Sequence, residues 1–197
     1  MALSAIRTGS HASQIALLNH FHLSAATCKL EEYFGCFYSP TSRFLGTDAT
    51  ENWSAVEFYD YAKPHFDNGS GWTYVPRPDS RKFEVVSAPD GTPIFVTFDE
   101  ILDVEAFGAE ARGTGTMIFD STSKYWFIVQ YHLSFPTPNE LAHEICKKIA
   151  NHSKKLQVKL STEHSDAIAA ELLAELKLEE AAAPLKSNSK KKKNGKS

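Results

Sequence analysis

The chain has 197 residues, of which 42% are hydrophobic and 23% charged, so it is long enough for one domain with a buried core and some appendages. No apolar run approaches the roughly 20 residues that cross a bilayer, and the start of the chain has no continuous apolar stretch, so neither a membrane span nor a secretory signal is predicted. Three cysteines are too few, and odd in number, for a disulfide framework, which favours reduced thiols in a cytoplasmic protein.

The net charge of −3 is unevenly distributed along the chain. Residues 185–197 contain six lysines and no acid, so the rest of the chain has 15 of the 21 basic residues against all 24 acidic ones, a net charge of −9. A body this acidic argues against a nucleic-acid groove on the folded part. The lysine run is predicted to be a solvated, disordered tail. Its alternatives are a nuclear-localisation signal or a contact with an anionic partner.

The first part of the chain is predicted to be helical. After an N-terminal extension, residues 1–10, the residues 11–35 carry apolar side chains at helical spacing and indicate two helices. Residues 37–47 alternate loosely and predict a short edge strand. Ser54 and Glu57 then match a capping box, which predicts the start of a third helix.

From residue 72 the hydrophobic period changes to two, as in β-strands. Turn residues separate four predicted strands: 72–87, 93–105, 109–119 and 125–135. Their short connections imply an antiparallel meander, and helices followed by a curved antiparallel sheet make an α+β fold.

The end of the chain is predicted to be a helical extension over residues 143–184, beyond a domain at residues 11–142. One helix is expected to begin near Pro138, because proline is favoured in a first helical turn. A second is expected over residues 165–183, where alanine, glutamate and leucine dominate.

The strand 125–135 has two faces that differ in chemistry. One parity contains Tyr125, Phe127, Val129, Tyr131 and Leu133, and the other contains Trp126, Ile128, Gln130, His132 and Ser134. The second face begins apolar and turns polar toward its end, which is typical of a pocket wall with Gln130 and His132 near its mouth. The strand therefore predicts a small ligand-binding or catalytic cavity without identifying the ligand.

Several short motifs carry a family resemblance across about residues 11–142. They are Phe44-Leu-Gly-Thr-Asp48, Trp53, Lys63-Pro-His-Phe66, Gly71-Trp-Thr-Tyr74, Phe98-Asp-Glu-Ile-Leu102, Arg112-Gly-Thr-Gly115 and Gln130-Tyr-His-Leu-Ser-Phe-Pro-Thr-Pro-Asn139. Together they resemble the SnoaL-like branch of the nuclear-transport-factor-2-like (NTF2-like) superfamily. The resemblance implies a cone, in which N-terminal helices pack on a strongly curved antiparallel meander. It also implies that the face from Trp126 to Ser134 points into the cone.

The superfamily includes ketosteroid-isomerase-like enzymes, polyketide cyclases, dehydratases and many non-catalytic members, so the fold alone does not decide the function. The resemblance implies a domain that binds a small organic ligand and, as an enzyme, works by cofactor-free proton transfer in an isomerisation, dehydration or cyclisation. The alternative is a non-catalytic dimerisation or scaffold module.

The candidate catalytic residues are His132 and one of two neighbouring acids, Asp99 and Glu100. A cone-facing imidazole can act as general acid or base near neutral pH, and its alternative is a structural hydrogen bond. Adjacent strand residues face opposite ways, so only one of the two acids can enter the cone. Arg112 on the next strand is expected to neutralise that acid, or to hold the polar end of a ligand.

The candidate ligand-binding residues are mainly aromatic. Trp53, Tyr59, Trp72 and Tyr74 combine a large apolar body with a polar atom, which suits an apolar or aromatic ligand, and the alternative for each is plain core. Trp72 and Tyr74 share a parity, so they are expected to line the cavity together. Gln130, Tyr74 or Arg112 is expected to stabilise a developing oxyanion by hydrogen bonding.

Neither a metal nor a cofactor is predicted. His20 and His22 are two residues apart on a helix and cannot share a metal, and His143-Glu144 lacks the second histidine of a zinc motif. The glycines of Arg112-Gly-Thr-Gly115 lack the lysine and the following helix of a phosphate-binding loop.

A homodimer through the sheet is predicted under either function. The face formed by Phe127, Val129, Tyr131 and Leu133 would be too apolar to remain in contact with water, and exposed apolar area of that kind usually marks an interface.

Overall fold

The computed structural model describes residues 11–77 and 79–182 and divides the chain into two units between Pro136 and Thr137. The predicted N-terminal extension and the lysine-rich tail both lie outside the described residues. In the first unit the longest strands follow the helices and form a curved, largely antiparallel sheet. The predicted α+β fold is therefore confirmed.

Three α-helices occur in the part of the first unit that the structure describes, and each predicted helical segment is found. They are α1 (Gln14–Ala26), α2 (Leu30–Phe34) and α3 (Ala55–Asp67). The capping box predicted for α3 is present: the Ser54 amide donates to the Glu57 carboxylate at 2.7 Å, and the Glu57 amide donates to the Ser54 hydroxyl at 3.3 Å. These two bonds satisfy amides that the first helical turn would leave without partners.

Seven strands form one sheet in the order β2-β1-β7-β6-β5-β3, with β4 also paired to β5. They are β1 (Arg43–Leu45), β2 (Asn52–Ser54), β3 (Val75–Pro76), β4 (Lys82–Ser87), β5 (Pro93–Val104), β6 (Ala109–Asp120) and β7 (Tyr125–Ser134). The predicted strand 72–87 is thus two strands, β3 and β4. The predicted edge strand is β1, but it lies inside the sheet because β2 covers its outer side.

The pairing of β6 with β7 contains a β-bulge. Met117 pairs with Ile128, whereas the preceding residue, Thr116, pairs with Gln130. Val129 is therefore an extra residue on β7 with no partner across the pair. A bulge of this kind shifts every later residue of its strand by one position relative to the alternation of the faces.

The bulge changes which residues of β7 face the core. Before it, Trp126 and Ile128 are buried in the core, as predicted; after it, Tyr131 and Leu133 are buried there instead. The prediction that the face from Trp126 to Ser134 points inward along its whole length is therefore wrong beyond Ile128. The prediction assumed that side chains alternate strictly between the two faces of the strand, and one inserted residue breaks this alternation.

The same burial removes the basis of the predicted sheet dimer. Phe127, Tyr131 and Leu133, expected on an open face, are at most 5% exposed within the single chain. Tyr131 and Leu133 belong to a core in which aromatic side chains pack between the helices and the sheet. Its other large aromatic members include Phe21, Tyr33, Phe34, Phe44, Phe58, Phe66 and Phe98.

The described residues of the second unit, 137–182, contain one helix, α4 (Asn139–Ala182), of 44 residues. Two helices were predicted here, but no glycine or proline interrupts this stretch, so nothing in the backbone chemistry ends the first helix. Apolar side chains on it, including Ile149 and Leu160, are exposed within the unit. Among the described helices, none combines the length and the apolar character that a bilayer crossing requires.

Candidate functional site

Two cavities in the first unit share four lining residues: Phe44, Trp72, Tyr74 and Leu133. The outer cavity has a volume of about 460 Å³ that includes space open to solvent, and Gly46, Thr47, Glu51, Phe58 and Tyr61 complete its lining. The inner cavity has a volume of about 220 Å³ that likewise includes space open to solvent, and Phe21, His22, Ala25, Tyr33 and Tyr131 complete its lining. The shared residues make one depression, with a wide mouth and a narrow floor.

Trp72 and Tyr74 both line the depression, in agreement with their shared parity. They lie on the segment between α3 and β3, which approaches the end of α1 closely. A side chain at Gly71 would place its Cβ 2.2 Å from the carbonyl oxygen of Ala25, so only glycine allows this approach. The Gly71 amide also donates to the Cys28 sulfur at 3.1 Å. These contacts bring both aromatic rings against the helices.

Behind the floor of the depression lies Glu100, whose side chain is fully buried. Its Oε1 atom lies 2.7 Å from Nε2 of His22 and accepts a hydrogen bond from the Tyr131 hydroxyl at 3.0 Å. His22 comes from α1, Glu100 from β5 and Tyr131 from β7. The carboxylate thus sits behind two residues that line the inner cavity, and both are hydrogen-bonded to it.

The second carboxylate oxygen of Glu100 is held by Arg81. The guanidinium donates from Nε to Oε2 at 2.8 Å and from Nη1 to the side-chain oxygen of Asn19 at 2.6 Å. Arg81 is only 13% exposed, so this ion pair is largely desolvated. A carboxylate buried among apolar side chains needs such compensation, because an isolated charge there is very unfavourable.

The electrostatics keep Glu100 ionised. Burial acts to raise its pKa, but the hydrogen bond and charge of His22, together with the charge and hydrogen bond of Arg81, outweigh burial and lower the pKa below its ordinary value. An ionised carboxylate can only accept, so Nε2 of His22 carries a proton whether the ring is charged or neutral, and in the neutral ring the lone pair is on Nδ1. Such an imidazole, oriented by a carboxylate, can act as a general base.

Two tyrosines of the site, Tyr131 and Tyr74, have a raised pKa. Burial, followed by the neighbouring Glu100 charge, raises the pKa of Tyr131 well above its ordinary value. Burial also raises the pKa of Tyr74. Tyr131 donates its only hydroxyl proton to Glu100, whereas the Tyr74 hydroxyl can donate to a negative oxygen on a ligand.

Gly113 on β6 leaves the space that this floor requires. A Cβ at that position would lie 2.1 Å from the Tyr131 hydroxyl oxygen and 3.0 Å from Oε1 of Glu100. The glycine of the Arg112-Gly-Thr-Gly115 motif is thus explained by the close approach of a tyrosine and a carboxylate, and not by phosphate binding.

Of the two adjacent acids on β5, Glu100 faces inward and Asp99 outward. Asp99 forms an ion pair with Arg112, whose Nε lies 3.2 Å from the carboxylate, and both side chains are substantially exposed, at 35% and 49%. Arg112 pairs in register with Ile101, on the same outer face as Asp99. The prediction that Arg112 neutralises the inward acid is therefore wrong, because Arg81 occupies that position.

Gln130 and His132 also lie away from the depression. Gln130 is exposed and His132 half-buried, and neither lines either cavity. In the sheet they pair with Thr116 and Thr114 of β6. The bulge at Val129 has moved them to the face opposite Tyr131 and Leu133.

Trp53 and Tyr59 belong to the surroundings of the depression and not to its lining. Trp53 is half-buried and stacks on Phe58 and Tyr61, with ring centroids 5.3 and 4.7 Å apart. Tyr59 donates from its hydroxyl to Glu31 at 2.7 Å, beside α2. Tyr61, two residues further along α3, is the tyrosine that reaches the mouth.

The sequence analysis did not identify His22, Arg81 or Tyr131 as site residues. His22 follows the buried Leu18 by four residues, so helical spacing alone places its imidazole on the buried stripe of α1. That spacing is the signal that would have found it. Arg81 pairs with Glu100, which is far from it in the sequence, so no local sequence pattern indicates this ion pair.

Comparison with known proteins adds a family and a set of similar folds. The model of a family described as a SnoaL-like domain matches residues 15–138, more than half of the chain. No curated protein matches significantly.

Three solved structures illustrate the similar folds. An NTF2-like protein of unknown function from Pseudomonas putida KT2440 is 8% identical, covering 63% of this chain and 84% of its own, with a TM-score of 0.48. An NTF-2 like protein of unknown function from Shewanella oneidensis MR-1 is 13% identical, covering 61% and 94%, with a TM-score of 0.46. A putative calcium/calmodulin dependent protein kinase II association domain from Xanthomonas campestris is 16% identical, covering 64% and 86%, with a TM-score of 0.44.

Proposed function

This chain belongs to the family of SnoaL-like domains, and from that premise we propose that its depression binds a small apolar or aromatic organic molecule and moves a proton within it. Domains of this family are often enzymes or bind small ligands. One observation carries the proposal: an aromatic cavity ends at a histidine that is hydrogen-bonded to a buried, ionised carboxylate.

The lining supports the chemical class of the ligand. Trp72, Phe44 and Leu133 present apolar surface at both depths of the depression, while Tyr74 adds a hydroxyl. This mixture resembles the lining of small-molecule sites, which is mostly apolar with a few convergent polar groups. A planar, largely apolar molecule with one polar end fits this distribution.

The histidine at the floor and the carboxylate behind it support proton transfer as the reaction. Nδ1 of His22 removes a proton from an acidic C–H group of the ligand, and Glu100 orients the ring and stabilises the imidazolium that forms. The protonated Tyr74 donates a hydrogen bond to the oxygen on which negative charge develops. The imidazolium then returns the proton at another position or to a leaving hydroxyl. Isomerisation, dehydration and aldol-type cyclisation all use these steps without a cofactor.

Binding is tested by tryptophan fluorescence with 2-naphthol as the probe. We expect the probe to quench wild type and to lose most of this effect in Trp72→Phe, whereas Trp126→Phe, which changes a core residue outside both cavities, keeps it. Equal quenching of the two variants would place the bound probe elsewhere.

Proton transfer is tested in deuterated water. Small ketones and hydroxyketones that bind are incubated with the protein, and mass spectrometry measures deuterium at their acidic C–H positions. We expect incorporation by wild type and its loss in His22→Gln, with probe affinity retained. Binding without any incorporation by wild type would reduce the function to ligand binding.

A non-catalytic dimerisation module is the second candidate, supported by a different part of the sheet. Strand β4 pairs with β5 on one side, and among the described strands none covers its other side. Val85 and Val86 on β4 and Ile94 on β5 are exposed. An open strand edge with apolar side chains is prone to pair with another chain. Sedimentation of wild type against Val85→Lys tests it: a dimer that the lysine dissociates supports this module, and a wild-type monomer excludes it.

We also propose that the protein works in a reducing intracellular compartment, which its three free cysteines support. Fluorescent fusions with and without residues 185–197 test the lysine run as a nuclear signal. Nuclear signal that persists without the run would contradict that role.

A further inference from the structure

Two histidines and a cysteine come together on the helical side of the first unit, outside the depression. Each of His11, His20 and Cys36 offers a ligand atom, and these atoms all lie within 4.8 Å of one another. His11 is 8% exposed, Cys36 is fully buried and His20 is half-buried. None of the three lines either cavity of the candidate site.

The backbone holds this cluster in place. The carbonyl oxygen of His11 accepts from the amide of Trp126 at 3.0 Å, and that of Cys36 accepts from the amide of Ile128 at 2.8 Å. His11 and Cys36 are thus both attached to β7, at alternate residues of the strand. His20 is fixed independently by α1. Three separate parts of the chain therefore present these side chains to one another.

One nitrogen in the cluster has no partner. Nε2 of His11 is buried and makes no hydrogen bond within the part of the chain that the structure describes. Buried polar atoms nearly always have a partner, and an exception requires an explanation such as an ion. The ring of His20 lies beside it, with centroids 4.7 Å apart and planes tilted by 40°. Two imidazoles at this distance from a thiol form the ligand types of a zinc site.

We propose that His11, His20 and Cys36 bind a divalent cation of the zinc class, with Glu32 as the fourth ligand. An Oε2 atom of Glu32 lies 3.8 Å from Nε2 of His20, and Glu32 precedes Cys36 by four residues, with the Cys36 thiol 3.5 Å from its carbonyl oxygen. Zinc accepts nitrogen, thiolate and carboxylate ligands in a tetrahedron.

Modest side-chain movements complete the site. In a tetrahedral zinc site the ligand atoms lie roughly 3.3 to 3.8 Å apart, so the present spacing has to close by about 1 Å. Rotation of the half-buried His20 and of the exposed Glu32 supplies this movement, although Glu32 must leave its surface ion pair with Lys29. The thiol proton of Cys36 passes to solvent as the sulfur–metal bond forms.

The site would act on stability and not on the reaction. Its ligands join the segment at His11 to α1 and to the turn after α2, and it shares no residue with the depression. The proposal replaces the expectation of no metal, which considered local patterns alone: the spacing of His20 and His22 on one helix, and His143-Glu144. In the fold these two histidines have separate tasks, since His22 binds Glu100 while His20 faces His11.

Cobalt(II) titration of the full-length, metal-stripped protein tests the proposal. We expect one equivalent to bind, with the absorption of a tetrahedral site and a thiolate-to-cobalt charge-transfer band that Cys36→Ser removes. The matched control is Cys146→Ser on α4, whose exposed thiol lies outside the cluster and whose loss should change nothing. His20→Gln, at a half-buried position, should weaken cobalt binding at least about tenfold.

Thermal unfolding gives the second readout. Zinc should raise the Tm of wild type and of Cys146→Ser but not of His20→Gln, whose folded state circular dichroism verifies. No cobalt binding to wild type, or binding that is equal in wild type, Cys36→Ser and His20→Gln, would overturn the proposal and leave an adventitious surface metal at most. If Cys36→Ser fails to fold, His20→Gln alone still decides.

Discussion

Asp99 and Glu100 are neighbours on β5, both are paired with an arginine, and yet they contribute to different parts of the molecule. Asp99 meets Arg112 at 3.2 Å on the outer face, where both side chains contact water. Glu100 meets Arg81 at 2.8 Å beneath the depression, where the carboxylate is fully buried. Two adjacent residues thus each form a carboxylate–guanidinium ion pair, one in contact with water and one in the low dielectric of the core.

The comparison teaches that burial determines what such a pair does. An exposed pair gains little, because water screens it and two long side chains must be ordered. A buried pair is costly to form, but removing one member is costlier, because the other charge remains without compensation. Glu100 accordingly has three partners, His22, Arg81 and Tyr131, whereas an ion pair with Arg112 is enough for Asp99.

The largest expected effect is on the stability of the folded state. Glu100→Ala leaves Arg81 and His22 buried without their acceptor, and we expect the free energy of unfolding to fall by about 3–5 kcal/mol. Asp99→Ala is the matched control, with an expected loss of about 0–1 kcal/mol. Urea unfolding measures both. Equal losses in the two variants would contradict the contrast between the faces.

The second prediction tests how tightly the groups around Glu100 are packed. Gly113→Ala places a methyl group 2.1 Å from the Tyr131 hydroxyl oxygen, so Tyr131 or the strand must move. We expect a loss of about 1–3 kcal/mol by urea unfolding, as for overpacking in a core. Thr114→Ala, the next residue on β6, is the control and should change stability by less than about 0.5 kcal/mol. A neutral Gly113→Ala would show that the floor has more room than described.

The pH dependence of the free energy of unfolding isolates the contribution of the buried Glu100. The pKa of Glu100 is lowered in the folded state from its ordinary 4.5, so its ionised form stabilises the fold above that pH, and this contribution is lost as pH falls through the folded pKa. We therefore expect wild type to lose stability between pH 5 and 3 more steeply than Glu100→Gln, in urea titrations across this range. Parallel curves would show that the carboxylate titrates as it does in the unfolded chain.

The smallest expected effect concerns the outer pair. A double-mutant cycle with Asp99→Ala and Arg112→Ala should give a coupling energy of about 0–1 kcal/mol, reduced further by salt. Chemical denaturation of the four proteins measures it. A coupling above 2 kcal/mol would mean that the outer face is covered in solution.

Much of the fold could be predicted from sequence, since its signals are local. Helical spacing identified α1 and α3, the Ser54–Glu57 pair identified a helix start, and alternation identified β5. These patterns act within a few residues, where propensity and capping decide the structure. The family resemblance then supplied the arrangement of the elements, and the family match agrees with it.

The candidate site was harder to predict because it depends on single insertions and distant partners. The bulge at Val129 cannot be detected from the sequence, because β7 has aromatic residues on both faces. Because of the bulge, Leu133 and not His132 lines the depression. The alternation of Asp99 and Glu100 showed that one acid faces inward but not which one. Only packing, with Arg81 arriving from the segment before β4, distinguishes them.

The most direct test compares two neighbouring residues of β7 on opposite faces. Leu133→Trp fills the wall shared by both cavities, whereas His132→Ala changes a residue outside them. Titration calorimetry with 2-naphthol should show binding abolished or weakened at least about tenfold by Leu133→Trp and unchanged in His132→Ala. Binding that survives Leu133→Trp and is lost in His132→Ala would contradict the site described here and return it to the opposite face of the strand.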